Sequence, residues 1–379
     1  MTRIAFFGHD AADAAIRRRV RAFQDDGFEV TGFMMRRREP LDLEWENIDL
    51  GETRDAAFLQ RICQVFRGAR IAADAGSPLH SANVIYARNL DMLACAFLAK
   101  RHARLKTPVI YECLDIHRLL CRKDLIGMGL RAIEGWLLRR SQALVVSSPA
   151  YLKQHFERYY PGTARSHLLE NRLSGHAGYG ARAAGRQSGM PGRLRLGWVG
   201  NLRCQRSLDL LCQLADQFGP QVEIRLHGVP ALTEIPDFET MISSRKNIAF
   251  FGRYRSPEDL PGIYAGLDAV WSGDFMEAGL NSTWLLPNRI YEGGYYCVPP
   301  IAPAGTETAL WIARHNCGFV LEEPLNQTLP ALAADLLQDA SRLSEYSGAL
   351  EALPEETFIQ PPGYLSQIID PVVNEKQAS

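Results

Sequence analysis

Long hydrophobic runs are missing from this sequence of 379 residues. No apolar run approaches the roughly 18 residues that a membrane-spanning helix needs. The run near the N-terminus, Ile4–Phe7, is too short for a signal peptide and is typical of a first β-strand. The eight cysteines are scattered and form no C-x-x-C pair, so neither a zinc site nor a disulfide framework is indicated. We therefore expect a cytoplasmic protein.

A strong charge imbalance and the common nucleotide-binding motifs are also lacking. The formal net charge is −1, which argues against a protein that binds nucleic acid. No Walker A sequence occurs. Two stretches match the Gly-x-Gly-x-x-Ala form of the dinucleotide fingerprint, Gly127–Ala132 and Gly178–Ala183. No strand pattern precedes either one, so neither meets the structural requirement of that motif.

What the sequence contains is two series of alternating strand and helix patterns, which predict two doubly wound α/β domains. The first series has predicted strands at Ile4–Phe7, Glu29–Met35, Val84–Ala87, Val109–Glu112, Ala143–Ser147 and His167–Glu170. The second has them at Leu194–Val199, Val222–Leu226, Ile248–Phe251, Ala269–Trp271, Val298–Ile301 and Gly318–Leu321.

Glycine content marks the boundary between the two series. Residues 174–192 hold six glycines and no apolar periodicity, which is typical of a flexible linker. We therefore predict an N-terminal domain over 1–173 and a C-terminal domain over 193–350. Residues 351–379 are expected to form an extended return segment. Within the second domain, Ser256–Asp259 has the serine, proline and acidic residues of a helix start.

The stretch from Leu285 to Pro303 carries the strongest functional pattern. Its proline at 287 suits the first turn of a helix, which would place Asn288, Arg289 and Glu292 on one face. An ionised glutamate is acceptor-only and can receive both hydroxyls of a ribose. The alternative is an ordinary surface ion pair between the arginine and the glutamate.

This stretch resembles the signature of family 4 glycosyltransferases of the GT-B fold, in the branch that reads Pro-Asn-Lys followed by Glu-Tyr. Arg289 stands at the Lys position and Glu292 at the Glu position. The longer form of the signature has a second Glu eight residues upstream, where this chain has Trp284. The resemblance implies two Rossmann-like domains facing across a cleft.

Two further segments of the second domain resemble donor-binding loops of that family. The segment that ends at Arg206 resembles a Gly-Arg-Leu…Lys-Gly loop whose cation holds the donor diphosphate, and an arginine fork suits that role. Phe251–Arg255 resembles a loop that contacts the base. The donor-binding residues implied are Gly200, Asn201, Arg203, Arg206 and Tyr254, together with the three on the predicted helix.

The first domain is expected to hold the acceptor. Gly8, His9 and Asp10 follow the first strand, where a doubly wound sheet binds ligands. Relatives carry a His-Asp pair after a later strand, and here Asp115 and His117 lie at that place. Either could take the proton of the acceptor hydroxyl. Asp115 could instead cap the following helix, and the leaving diphosphate could itself take the proton.

The resemblance implies an enzyme that moves a sugar from a nucleotide donor to a glycan, with retention of configuration and without metal or other cofactor. No Asp-x-Asp metal motif is present. We favour a UDP-sugar, with glucose as one candidate, and a lipid-linked acceptor in bacterial exopolysaccharide or lipopolysaccharide assembly. A nucleotide-sugar epimerase and a non-catalytic nucleotide-sugar-binding partner are the alternatives.

The amphipathic segment Gly129–Arg140 is expected to pack beneath the sheet. Peripheral contact with the inner membrane is the alternative, because a lipid-linked acceptor would favour it.

Overall fold

The computed structural model describes residues 1–37, 43–53, 58–74, 76–163, 165–175, 178–182, 192–277 and 280–377. The chain divides into two compact units. The first unit holds the chain through Glu170 and again from Pro361 onward, and the second unit holds most of the residues in between.

The first unit is built on a parallel sheet with the strand order β3-β2-β1-β4-β5-β6-β7. The order reverses between β1 and β4, which are hydrogen-bonded neighbours. Ligands of such sheets bind beyond the carboxyl ends of the strands at this reversal. The strands described are β1 (Arg3–Gly8), β2 (Glu29–Arg36), β3 (Glu46–Glu52), β4 (Val84–Arg88), β5 (Val109–Cys113), β6 (Ala143–Val146) and β7 (Arg165–Leu168).

The helices described before the second unit are α1 (Ala14–Asp25), α2 (Phe58–Ala72), α3 (Asn89–His102), α4 (Leu125–Leu138), α5 (Pro149–Tyr151) and α6 (Glu157–Tyr159), with a π-helical stretch at Leu152–Phe156 and a 3-10 turn at Pro78–Ser81. Apolar residues of α1 form a core with those of β1, β2, β4, β5 and β6. The helix α1 begins where its sequence dictates, because the Asp13 carboxylate accepts the N–H groups of Ala15 and Ile16.

Two elements of the first unit differ from the prediction. The edge strand β3 was not predicted, because its sequence is mostly polar and only Leu50 is buried. The strand predicted at His167–Glu170 begins two residues earlier, at Arg165.

The second unit repeats the same design, with a parallel sheet in the order β11-β10-β9-β12-β13-β14. The order reverses between β9 and β12, again hydrogen-bonded neighbours. The strands described are β9 (Leu194–Leu202), β10 (Val222–Pro230), β11 (Ile248–Gly252), β12 (Ala269–Trp271), β13 (Pro300–Pro303) and β14 (Phe319–Leu321). The predicted doubly wound α/β architecture is therefore confirmed in both units.

The helices of the second unit are α7 (Gln205–Phe218), α8 (Phe238–Ser243), α9 (Leu260–Ala265), α10 (Asn281–Trp284), α11 (Asn288–Tyr295), α12 (Glu307–His315), α13 (Leu325–Gln338) and α14 (Ser341–Ala352), with 3-10 turns at Gly219–Gln221 and Glu355–Thr357. The helix start predicted at Ser256 is wrong, because α9 begins at Leu260. The carboxylate of Asp259 receives the backbone N–H and the guanidinium of Arg255 and does not cap the helix.

The chain passes between the units through the strands β8 (Leu173–Ser174) and β15 (Ile359–Gln360). Part of the predicted linker is described, and it packs on the second unit. The carbonyl groups of Tyr179 and Gly180 accept hydrogen bonds from Tyr296 and Tyr295. Residues 176–177 and 183–191 of that linker lie outside the described residues.

The return segment is largely helical and not extended. Its last helix, α15 (Ser366–Gln377), contributes Ile368, Ile369 and Val372 to the core of the first unit. Among all described residues, no helix is both long and apolar enough to cross a membrane.

Candidate functional site

The reversal between β9 and β12 defines the β9–β12 edge, formed by Gly200–Leu202 and Trp271. Gly200 has φ of +113° and lies in register with Gly228 of β10, where φ is +140°. A Cβ on Gly228 would lie 1.7 Å from the Gly200 carbonyl oxygen. Only glycine permits this approach of two strand ends. The backbone at the edge therefore carries no side chain at these two positions.

A buried carboxylate that the sequence did not indicate organises this edge. Asp274 follows β12, and its Oδ2 lies 3.0 Å from Nε of Arg203. Its Oδ1 accepts the hydroxyl of Ser282 at 3.0 Å. Burial acts to raise the pKa of Asp274, but Arg203 and Arg289 outweigh it and hold the pKa below its ordinary value. Asp274 therefore carries charge between two predicted donor-binding arginines.

Arg289 and Glu292 are both buried at the start of α11, with exposed fractions of 7% and 1%. The guanidinium of Arg289 donates to the Trp271 carbonyl at 3.3 Å, which places it at the end of β12. Tyr264 of α9 donates its hydroxyl to Oε2 of Glu292 at 3.0 Å. The alternative of an ordinary surface ion pair is therefore wrong, since neither side chain lies on the surface.

Burial also affects the charge of the arginine. It lowers the pKa of Arg289, while the neighbouring Asp274 acts in the opposite direction. A buried guanidinium needs hydrogen-bond acceptors and a counter-charge. The phosphates of a nucleotide could supply both.

Arg206 occupies the second position of α7, directly after the β9–β12 edge. Its Nη2 lies 2.8 and 2.7 Å from the two carboxylate oxygens of Glu323. The guanidinium also lies over the ring of Phe275 at 4.4 Å. Both charged side chains are exposed, so the pair is open to exchange with another anion.

The start of α7 is fixed against the end of β12. Ser207 accepts the indole N–H of Trp271 at 3.0 Å and donates to the Gly273 carbonyl at 3.3 Å. Ser207 and Trp271 are both buried. These bonds hold the helix that carries Arg206 in place beside the strand end.

Of the remaining predicted donor residues, Asn201 is exposed, whereas Asn288 and Tyr254 are half-buried. Trp284, at the place of the second Glu of the signature, is also half-buried. Tyr254 lies close enough to Arg289 to influence its pKa electrostatically. The structure thus brings Arg203, Tyr254 and Arg289 together.

A cavity of about 410 Å³ opens on the same unit near Phe251. His227 stacks on the ring of Phe251 with centroids 4.4 Å apart and planes 3° from parallel. Burial, with Arg225 nearby, lowers the pKa of His227 to about 4. The imidazole is therefore neutral at physiological pH and presents a flat aromatic wall beside the predicted base-contacting loop.

In the first unit, the predicted acceptor residues lie at the end of β1 and directly after it. Gly8 packs so closely that a Cβ would lie 2.9 Å from Ile16. His9 places Nε2 3.8 Å from the Asp13 carboxylate, and its Nδ1 is buried without a hydrogen-bond partner. Asp10 accepts the backbone N–H of Ala12 at 3.0 Å. Asp10 therefore stabilises the loop, while Nδ1 of His9 is available to a ligand.

A buried ion cluster lies beside this loop and was not predicted. Glu112, at the end of β5, places Oε1 3.2 Å from Arg19 and Oε2 2.7 Å from Arg88. Burial acts to raise the pKa of Glu112, but the two arginines hold it below its ordinary value. Nη1 of Arg88 is buried without a hydrogen-bond partner. A signal was available in the sequence, since Arg88 is the last residue of an apolar strand and Glu112 is the last but one of the next.

Asp115 and His117 are both exposed on the loop after β5. The alternative that Asp115 caps the following helix is wrong, because Asp124 caps α4 by accepting the Gly127 N–H at 3.0 Å. His117 accepts the Leu119 N–H through Nδ1 at 3.3 Å, and its other ring nitrogen, Nε2, takes no part in this bond.

The helix α4 packs as expected only in part. Leu137 and Leu138 of the predicted segment are buried, whereas Ile133 and Trp136 of that segment, and Leu125, Ile126 and Met128 before it, are exposed. Among the described residues as a whole, no group of three histidine, cysteine or acidic side chains could hold a metal ion.

Comparison with known proteins identifies the fold and the family. No protein-family profile matches the chain. It is 40% identical over 351 residues to the succinoglycan biosynthesis protein ExoL of Rhizobium meliloti (strain 1021), covering 90% of this chain and 87% of that protein. The fold is similar to that of Anabaena HepE, crystallised with UDP and glucose, with a TM-score of 0.68, 15% identity and complete coverage of both chains. It is also similar to sucrose-phosphate synthase of Thermosynechococcus elongatus, with a TM-score of 0.70, 14% identity and complete coverage of both chains.

Two doubly wound parallel units that match such structures over their full length define the GT-B class, and the fold predicted from the sequence is confirmed. Within that class, the chain belongs to the family of the succinoglycan biosynthesis protein ExoL.

Proposed function

We propose that this protein is a glycosyltransferase of exopolysaccharide biosynthesis that uses a UDP-sugar donor. The observation that carries the proposal is the buried pair of Arg289 and Glu292 at the β9–β12 edge, in a chain of the ExoL family. A fold by itself does not define an activity. Arg289 and Glu292 lie at the strand ends where such sheets bind ligands. A nucleotide sugar needs a cation for its diphosphate and an acceptor for its ribose hydroxyls, and these two side chains are of the right kind.

The donor contacts follow from the chemistry of these groups. Arg203, Arg206 and Arg289 would bind the diphosphate, because a planar guanidinium can bond two phosphate oxygens at once. Glu292 would accept the ribose hydroxyls, and its bond to Tyr264 orients the carboxylate for that role. HepE of the same fold was crystallised with UDP-glucose, which supports UDP as the nucleotide and glucose as one candidate sugar.

In the proposed reaction, the bond between the anomeric carbon and the β-phosphate oxygen breaks and UDP leaves. A bond then forms between the anomeric carbon and an acceptor hydroxyl oxygen, with retention of configuration. The hydroxyl proton passes to the Asp115 carboxylate or to the departing diphosphate, which can itself act as the base. No metal is required in this scheme, because arginines offset the charge of the leaving group. The acceptor we propose is a lipid-linked glycan.

Trp284 is the one observation that favours a second candidate. It stands where related signatures carry another glutamate, and it lies half-buried at the end of α10. A protein that binds a nucleotide sugar without turnover would fit this replacement. An epimerase remains distinguishable from both because it needs no acceptor.

The test combines binding and turnover. A thermal-shift panel of nucleotide sugars should single out UDP-sugars, because a ligand that binds only the native state raises its stability. UDP release should then require a lipid-linked glycan acceptor. Arg289→Met should abolish both signals, whereas Arg314→Met, at an exposed arginine of α12, should change neither.

The other outcomes separate the candidates. Acceptor-independent conversion of the sugar would identify an epimerase. UDP-sugar binding without release of UDP to any glycan acceptor would identify the non-catalytic partner. Lack of binding to every nucleotide sugar would overturn the proposal.

A further inference from the structure

The helix α4 of the first unit turns its apolar face outward. Leu125 is 83% exposed and Trp136 is 47% exposed. Between them, Ile126, Met128 and Ile133 are also exposed, and so are the small residues Gly129 and Ala132. Soluble domains rarely expose this many large apolar side chains on one face, and patches of this kind mark interaction sites.

A buried carboxylate fixes this orientation of the helix. Glu134 is fully buried and accepts hydrogen bonds from the hydroxyls of Tyr111 and Tyr160 at 2.9 and 2.8 Å. Its Oε2 also lies 2.6 Å from Nε2 of His155. Rotating the helix to bury its apolar face would break all three interactions and would give the Glu134 carboxylate no new partner in their place. The outward apolar face is therefore held in place by the core beneath it.

Basic side chains flank this helix in the sequence. Arg118, Arg122 and Lys123 precede the helix, and Arg139 and Arg140 follow it; all five are exposed. Between His117 and Gln142 the only acidic residues are Asp124, which pairs with Arg122, and the buried Glu134. An apolar stripe bordered by arginine and lysine complements a surface with anionic headgroups above an apolar interior.

The aromatic end of the helix has the same character. The guanidinium of Arg140 lies 3.9 Å from the centre of the Trp136 ring and donates to the Trp136 carbonyl at 3.0 Å. Tryptophan and arginine side by side suit the boundary between headgroups and acyl chains, where the ring is apolar and the charge stays hydrated.

We propose that α4 and its basic borders, residues 118–140, dock this protein on the surface of an anionic lipid bilayer. The helix would lie in the plane of the headgroups with Leu125, Ile133 and Trp136 inserted. The loop of Asp115 and His117 leads directly into this segment, so docking brings that loop to the lipid surface. This inference does not depend on the proposed transfer reaction, because binding to lipid can be measured without turnover.

A second copy of the chain is a less suitable occupant. If the same face met itself around a two-fold axis, the arginines at both ends would face one another. Like charges at close range oppose such a contact, whereas an anionic bilayer attracts them.

Vesicle flotation tests the proposal. The whole protein should float with vesicles of phosphatidylcholine and phosphatidylglycerol at low ionic strength, and much less with phosphatidylcholine alone. Trp136→Glu and the pair Arg139→Glu with Arg140→Glu should each weaken binding at least about tenfold, since each basic group near an anionic surface contributes roughly fivefold. All of these positions are exposed, so folding should be unaffected.

Matched controls lie elsewhere on the same unit. Phe66→Glu places the same charge at a side chain of similar exposure, 52%, on α2. The pair Arg101→Glu and Arg104→Glu makes the same charge change near the end of α3. Neither control should alter vesicle binding. Emission from Trp136 should shift to shorter wavelength on anionic vesicles, and Trp136→Phe should remove that shift while the protein still floats.

Three outcomes would overturn the inference. One is failure of the wild-type protein to bind anionic vesicles. Another is an equal loss of binding in the control variants. The third is concentration-dependent self-association that Trp136→Glu abolishes in a protein that does not bind vesicles, which would identify a second copy as the occupant.

Discussion

Glu323→Gln should strengthen the binding of UDP, because this carboxylate occupies the guanidinium that we assign to the diphosphate. Nη2 of Arg206 lies 2.8 and 2.7 Å from the two Glu323 oxygens. A diphosphate can take the same guanidinium only by displacing Glu323. The guanidinium of Arg206 also lies over the ring of Phe275, a contact that does not involve Glu323.

The structure sets the size of the effect. Both side chains are about half exposed, so the ion pair contributes only roughly 0–1 kcal/mol. Removing the competing charge should therefore raise UDP affinity by at most about fivefold. Arg206→Ala should instead lose a charged hydrogen bond of roughly 1.5–3 kcal/mol, which weakens binding about 10- to 150-fold.

Calorimetry of UDP binding measures both changes, with Glu322→Gln as the control. Glu322 is exposed next to Glu323, so the control removes the same charge from a neighbouring position. If Glu323 acts only through Arg206, its substitution should have no effect in the Arg206→Ala background. Equal gains from Glu322→Gln and Glu323→Gln would show a general charge effect. Unchanged affinity in Arg206→Ala would remove this arginine from the site.

Three further predictions concern cofactor use and the first unit. Turnover should survive EDTA, because arginines and not a cation offset the diphosphate charge; complete loss that Mg²⁺ or Mn²⁺ restores would contradict this. Asp115→Asn should lower turnover and leave UDP affinity unchanged, whereas near-normal turnover would assign proton removal to the diphosphate. Glu112→Gln should reduce stability in urea unfolding by about 3–5 kcal/mol, since it removes the carboxylate charge that offsets two buried arginines. The arginines hold the folded pKa of Glu112 below its ordinary value of 4.5, so its contribution is present above that pH and is lost as the pH falls towards the folded pKa. The wild type should therefore lose stability on acidification below about pH 4.5, and the variant should lack this component; equal acid sensitivity would refute it.

Most of the sheet architecture could be predicted because buried parallel strands read as short apolar runs. The exceptions have physical causes. β3 is an edge strand with a single neighbour, so its polar sequence Glu46–Glu52 has no apolar pattern. The helix start at Ser256 was predicted from local preference, but the ion pair of Arg255 with Asp259 determines the turn there.

The donor side could be located from sequence, but its burial could not. The motif identified Arg289 and Glu292, whereas their environment depends on Tyr264 and Asp274, which come from other elements. Glu323 is 117 residues from Arg206 in sequence, so no local pattern relates them.

The orientation of α4 also could not be predicted from a sequence pattern. Its periodicity indicates an amphipathic helix but does not say which face is outward. The three partners of Glu134 come from β5 and from residues 155–160, and they turn the carboxylate inward.

The location of the nucleotide is the central claim, and hydrogen–deuterium exchange with and without saturating UDP tests it most directly. Amide groups exchange more slowly where a ligand stabilises the surrounding structure. We expect UDP to protect peptides that span residues 199–206 and 285–294 of the second unit. Peptides that span residues 8–13 and 112–118 of the first unit should exchange at the same rate with and without UDP. Protection confined to the first unit, or unchanged exchange at the β9–β12 edge with UDP bound, would contradict the account.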